Sequence, residues 1–282
     1  MTSRARGSVG PVRIAVTSGK GGVGKTNVAI NLAVSLARLR HRVAILDADF
    51  GLGNVDVLLG LAPLAHIGHV LAGEKHISEI LMAGPRDVQL IPASSGMAQL
   101  TALTSGQWEL IGDALDEIAA DFDYVIIDTA AGISGNVVDA VRIASQVIVV
   151  TSLEPTAVVD AYAVIKLLSP TDPTQEIGVV VNNAHDASEA ELVFAQLEVA
   201  AWRFLNRRLT YFGFIAQDPS VRDAVLAQRP IVDHLPQSAA SRCFRILASR
   251  LAGLVPHHGS GLRLVAPLEC APPSSPEAPE CA

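Results

Sequence analysis

Residues 19–26 read Gly-Lys-Gly-Gly-Val-Gly-Lys-Thr, and no other stretch limits the possible folds as tightly. The run fits the pattern G-x-x-x-x-G-K-[ST], in which glycines let the backbone wrap its N–H groups around phosphate oxygens. Such a loop works between a buried strand that fixes its start and a helix whose positive N-terminal end faces the anion. Both flanks are present. Residues 13–18 (RIAVTS) have the composition of a short buried strand, and residues 26–39 set apolar side chains at helical spacing. Gly19, Lys20, Gly21, Gly22, Val23 and Gly24 then form a phosphate cradle, with Asn27 counted beside it. Lys25 reaches the β- and γ-phosphates, and Thr26 offers a hydroxyl to Mg²⁺. The ligand implied is a nucleoside triphosphate with its metal.

The rest of the chain repeats the same alternation. Strands are expected at 42–47 (RVAILD), 88–92, 124–128 (YVIID), 146–151, 177–182 and 209–214, with helices at 107–120, 155–168, 188–205 and 238–252. Alternating strands and helices imply right-handed crossovers, hence an α/β fold with a mostly parallel, twisted sheet of about seven or eight strands and helices on both faces. With only 4% aromatic residues and 50% hydrophobic ones, the core must be built from Ala, Val, Ile and Leu, as buried parallel sheets are. Residues 13–255 are read as one nucleotide-binding domain, 1–12 as a flexible leader, and the Pro- and Ser-rich stretch 256–282 as a tail too poor in apolar residues to pack.

Charge and cysteine usage remove several classes. The net charge of −7 provides no general attraction to a phosphate backbone, so direct DNA binding is not expected. Of 21 basic residues only Lys20, Lys25, Lys75 and Lys166 are lysines, and two of these four share the glycine loop, where a compact ammonium is chemically required. Cys243, Cys270 and Cys281 are odd in number and lack metal-type spacing. His66 with His69, and His257 with His258, lack ligand companions and are expected at the surface. No apolar run reaches the length of a membrane span, so a cytoplasmic location is expected. Asp128 ends an apolar strand, the place from which a carboxylate holds Mg²⁺ through water.

The early lysine narrows the reading. GKGGVGKT resembles the deviant Walker A loop of the MinD/ParA ATPases, and the likeness extends from residue 13 to about residue 253. It implies that Lys20 reaches across an ATP-dependent homodimer to the partner's nucleotide. Lys20 also adds a second positive charge to a loop that already has one, which calls for a second anionic group or nucleotide. In LDADFGLGN the resemblance makes Asp49 the carboxylate that orients the attacking water, with Asp47 near the Mg²⁺ shell, and it makes DTAAGIS the second switch. Lys20, Lys25 and Asp49 are thus the catalytic set. Asn182 and Asn183 are placed to offer an amide edge to adenine, though Asn is also a common turn residue. Asp218 and Pro219 match the loop that lines the base.

Within that family, LGNVDVLLGL, EPTAVVDAYAVIKLL and FLNRRLTYFGFIAQDPSVRDAVLAQRP resemble the flagellar number regulators, the FlhG/FleN (YlxH) group. The resemblance implies a slow ATPase switch acting through a partner, either a GTPase like FlhF or a transcription activator like FleQ. Residues 1–12 contain no segment of the DQAxxLR type with which many members stimulate that GTPase, so this activity is not expected. A ParA- or MinD-type partitioning or division-site ATPase is the alternative. Membrane binding is expected to be weak or absent, with peripheral attachment at the inner membrane or pole left open. An iron–sulfur carrier on this fold would need thiolates near the dimer face, and no cysteine precedes Cys243.

Overall fold

The structure, a computed structural model, describes residues 10–93, 103–172 and 174–253. Most of the leader and tail, with His257, His258, Cys270 and Cys281, lies outside the described residues. In chain order the elements are β1 (Val12–Ser18), α1 (Lys25–Arg38), β2 (Val43–Ala48), α2 (Val55–Leu59), α3 (Ile67–Leu71), β3 (Met82–Ala83), β4 (Gln89–Ile91), α4 (Ser105–Glu117) and β5 (Tyr124–Ala131). They continue as α5 (Gly135–Arg142), β6 (Gln146–Ser152), α6 (Pro155–Leu168), β7 (Glu176–Ala184), α7 (Ala187–Leu205), β8 (Thr210–Ala216), α8 (Ser220–Leu226), α9 (Ile231–His234) and α10 (Ala239–Gly253).

The eight strands form one sheet in the order β3-β4-β2-β5-β1-β6-β7-β8. Every pairing is parallel except β3 with β4, which is antiparallel at the edge. The parallel strands are nearly continuous apolar runs, and the two-residue period sorts them between two cores. Ile14, Val16, Ile45, Ile126 and Ile148 face α1 and α10. Ala15, Leu46, Val125, Ile127 and Val149 face the side covered by α4, α5, α6 and α7. Each fully buried Ile or Val adds about 1.5–3 kcal/mol from area removed from water.

Several ends differ from the sequence expectation. The helix expected at 107–120 starts at Ser105, where Thr104 and Gln107 form a reciprocal capping pair, and it stops at Glu117 before a single 3₁₀ turn. His66 and His69 are only partly exposed. His66 N–H donates to His69 Nδ1 at 3.2 Å, so the His69 ring closes the start of α3.

What the topology does for function is local. Adjacent strands β2, β5, β1, β6 and β7 all run the same way, so their C-terminal ends, and the loops leaving them, meet along one rim.

Candidate functional site

At the centre of that rim β1 ends at Ser18 and α1 begins at Lys25. Gly24 sits at the helix N-cap with φ +90°, a left-handed conformation suited to glycine, and no side chain caps the helix. The first-turn N–H groups are therefore left for a ligand, and no acidic residue in that turn opposes an anion. Gly19 is fixed for another reason: a Cβ there would overlap the Asp160 carbonyl of α6. The Ser18 hydroxyl donates to the Lys20 carbonyl at 3.1 Å and steadies the loop's entry.

Lys25 Nζ donates to Asp128 Oδ1 at 2.6 Å, and both side chains are buried, 8% and 1% exposed. It also lies 3.4 Å from the Thr26 hydroxyl. Asp128 on β5 pairs in register with Asp47 on β2. Asp47 accepts from Asp49 N–H and Val55 N–H, each at 3.1 Å, so it shapes the loop that carries Asp49. Burial, with the nearby Asp128 charge, pushes the Asp47 carboxyl up to about 7. Asp128 is also pushed up by burial, with Lys25 acting against it. Two adjacent buried carboxylates thus share one ammonium. With both ionised, two negative charges would face one ammonium beside a hydroxyl, an arrangement that suits a hard divalent cation, and Thr26, Asp47 and Asp128 are the residues that would hold it. Asp49 is partly exposed, its Oδ1 accepting from Leu52 N–H at 3.2 Å.

On the other side of the loop a cavity of about 510 Å³ is lined by Lys20, Gly22, Asn182, Asn183 and Asp218, among others. Of the sequence-predicted phosphate and base residues, 20–24, Asn182, Asn183 and Asp218 are therefore brought together in this cavity, while Gly19, Lys25, Thr26, Asn27 and Pro219 are not among its lining; two of the residues it gathers have other partners. Asp218 spends its oxygens on the N–H groups of Ser220, at 3.0 Å, and Ala240, at 3.1 Å, which depresses its pKa against the opposing effect of burial and holds α8 to α10. Asn182, which lines the cavity, has its amide nitrogen donating to the Val23 carbonyl of the loop. Asn183, at φ +58°, is exposed beside the cavity. A larger cleft of about 770 Å³, lined by Arg38, Arg40, Arg42 and Arg86, lies at the opposite end of the sheet and contains none of these groups.

The residues that sequence reasoning missed surround Lys20. Its Nζ donates to Glu154 Oε2 at 2.5 Å and to the Thr156 hydroxyl at 3.1 Å within the same chain. Both stand where β6 enters α6, beside β1 in the sheet. An acid following a strand next to the loop strand was the available signal.

Loop, register and paired carboxylates define a P-loop nucleotide-binding protein. The family model described as "AAA domain" matches residues 12–204. The chain is 44% identical to antiactivator FleN of Pseudomonas aeruginosa over 246 residues, covering 87% of this chain and 88% of that protein. It is 33% identical to the flagellum site-determining protein YlxH of Helicobacter pylori, covering 86% and 81%. The MinC:MinD cell division protein complex of Aquifex aeolicus contains a chain that is 28% identical, with a TM-score of 0.69 and coverage of 90% and 98%. The chain belongs to the MinD/ParA family of P-loop ATPases, close to the FlhG/FleN group.

Proposed function

We propose that this ATPase, with residues 13–255 as its working unit, is a dimeric switch that regulates flagellar number or placement through a partner protein. The observation that carries the reading is the likeness to FleN over most of both chains. ATP binds through the glycine loop, with Lys25 exchanging Asp128 for phosphate oxygens and Asn183 and the Asp218 loop beside the base. Mg²⁺, when bound at Thr26, Asp47 and Asp128, offsets the charge that develops on the phosphates. Asp49 orients the attacking water, so the chain's own contribution is mostly positioning.

Lys20 is the residue that links nucleotide to assembly. In the single chain it is neutralised by Glu154. In the proposed dimer it leaves Glu154 for the nucleotide of the second copy, and the closed face is what a partner recognises, a population shift driven by differential affinity. An activator of the FleQ kind fits the description of FleN as an antiactivator, and a GTPase of the FlhF kind is the other candidate. The second reading, a division-site ATPase, is favoured by the fold it shares with MinD. Among the described residues no helix is long and apolar enough to cross a membrane.

Sedimentation with and without Mg-ATP tests the switch. The parent is expected to dimerise with ATP, and Lys20→Ala to bind nucleotide but stay monomeric; a variant that dimerises as well as the parent removes the dimeric reading. Counting flagella and septa after deletion of the gene separates the two cellular roles, since altered septum placement with normal flagella would favour the MinD-like one.

A further inference from the structure

The geometry points to Asn182 as a positioning residue for the phosphate loop: its carboxamide, at the C-terminal end of β7, sets the course of Val23 and Gly24 and thereby the backbone donors a triphosphate meets. This deepens the nucleotide-binding role proposed above and rests on it.

Two observations converge. Asn182 Nδ2 donates to the Val23 carbonyl at 2.7 Å, linking positions 159 residues apart. The same amide nitrogen fills the space in which a Gly24 side chain would begin, so a Cβ there would overlap it. The glycine at φ +90° is thus matched to the amide packed against it. A carbonyl oxygen can only accept, so the nitrogen end of the amide must face the loop. The Val23 carbonyl and the Gly24 N–H belong to one trans peptide plane and point in opposite directions. With the carbonyl held toward β7, the Gly24 N–H is turned away from it, the orientation in which the loop can present it to an anion. Asn182 is itself anchored, since it pairs in register with Ser152 of β6 inside the sheet.

A base reader and a loop brace make opposite demands. A residue that reads adenine affects only ligands that carry the base. A residue that shapes the loop affects any ligand that carries the phosphates. The experiment is titration calorimetry of Mg-ATP and Mg-tripolyphosphate into the parent, Asn182→Ala and Asn182→Asp, with metal-free melting curves as a fold control. Loss of one neutral hydrogen bond predicts that Asn182→Ala binds both ligands about three- to tenfold more weakly, by the same factor. Asn182→Asp keeps the shape and an acceptor oxygen but has no donor and repels both the Val23 carbonyl and the phosphates, so it should weaken both at least as much. A fall for ATP with tripolyphosphate unchanged would overturn the inference and leave Asn182 a base reader. Unchanged tripolyphosphate affinity with a lowered melting temperature would overturn it too, as general loss of stability. A parent that binds neither ligand would instead remove the phosphate-loop reading beneath it.

Discussion

Asp47→Asn offers the most direct physical test of the site, because it predicts a gain in one property and a loss in another. In the metal-free protein the Asp47 carboxyl is pushed from an ordinary value of 3.8 up to about 7, first by burial and then by Asp128. Between these two values the folded chain holds a proton that the unfolded chain has released. Stability therefore falls as pH rises across that window and levels off above it. At 1.36 kcal/mol per pKa unit the whole effect is about 4 kcal/mol, of which about 2–3 kcal/mol falls between pH 5 and 8. Asparagine has no such titration. It retains one acceptor for the Asp49 and Val55 N–H groups where aspartate offers two, which costs about 1–3 kcal/mol at all pH values. Urea denaturation in EDTA at pH 5 and pH 8 measures both terms. The parent-minus-variant difference should shift against the parent by about 2–3 kcal/mol on going from pH 5 to 8, while Mg-ATP binding is lost in the variant. A difference that does not change with pH would refute the buried, charge-crowded description of the Asp47 and Asp128 pair.

Three further outcomes are expected. Lys25→Ala should leave the fold intact yet abolish measurable Mg-ATP binding by calorimetry, and because it strands Asp128 as a buried charge without its ammonium it should also lower the melting temperature at pH 8. Asp49→Ala, at a partly exposed residue, should bind ATP normally, hydrolyse it at least about a hundredfold more slowly and accumulate as a dimer, since water orientation acts in the transition state; equal phosphate release from variant and parent would take Asp49 out of the mechanism. Glu154→Gln should free Lys20 and lower the ATP concentration for half-dimerisation by up to about fivefold, the modest scale of a partly exposed ion pair, and an unchanged midpoint would show that the pair exerts no restraint.

The strands were legible because most of the long parallel ones are nearly continuous apolar runs closed by Asp, Asn or Ser, a pattern two buried faces impose. Both ends of most strands fell within two residues of the expectation, though β5 continues to Ala131 because Thr129 pairs with Ala48 and Ala131 with Ser18, beyond Asp128. Edge strand β3 has only two residues and no period to detect. Helix α5 opens with Gly-Asn, poor helix formers, and is held by burying Val137, Ala140 and Val141 rather than by propensity. The phosphate loop was readable because its chemistry is contiguous. The partners of its two lysines were not, since Glu154 lies 134 positions from Lys20 and Asp128 lies 103 from Lys25. Nor could composition anticipate the rise at Asp47, which depends on β2 and β5 pairing in one register.

The rim at the C-terminal strand ends has a consequence for synthesis. The cavity on it is lined from Lys20 at one extreme of the sequence to Val221 at the other, and Asn182 donates to the Val23 carbonyl of the loop. A ribosome that has made only the first half of the chain has released a complete glycine motif with neither Asn182 nor the far wall of the cavity. Nucleotide therefore cannot be captured by partial products through this full set of contacts. Once β7 and β8 have docked, ATP binds the finished form and adds stability in proportion to the logarithm of its concentration over Kd. Cellular ATP is then expected to act after translation as a selective clamp on completed molecules, and a chain terminated before residue 182 should be digested by protease equally fast with and without Mg-ATP.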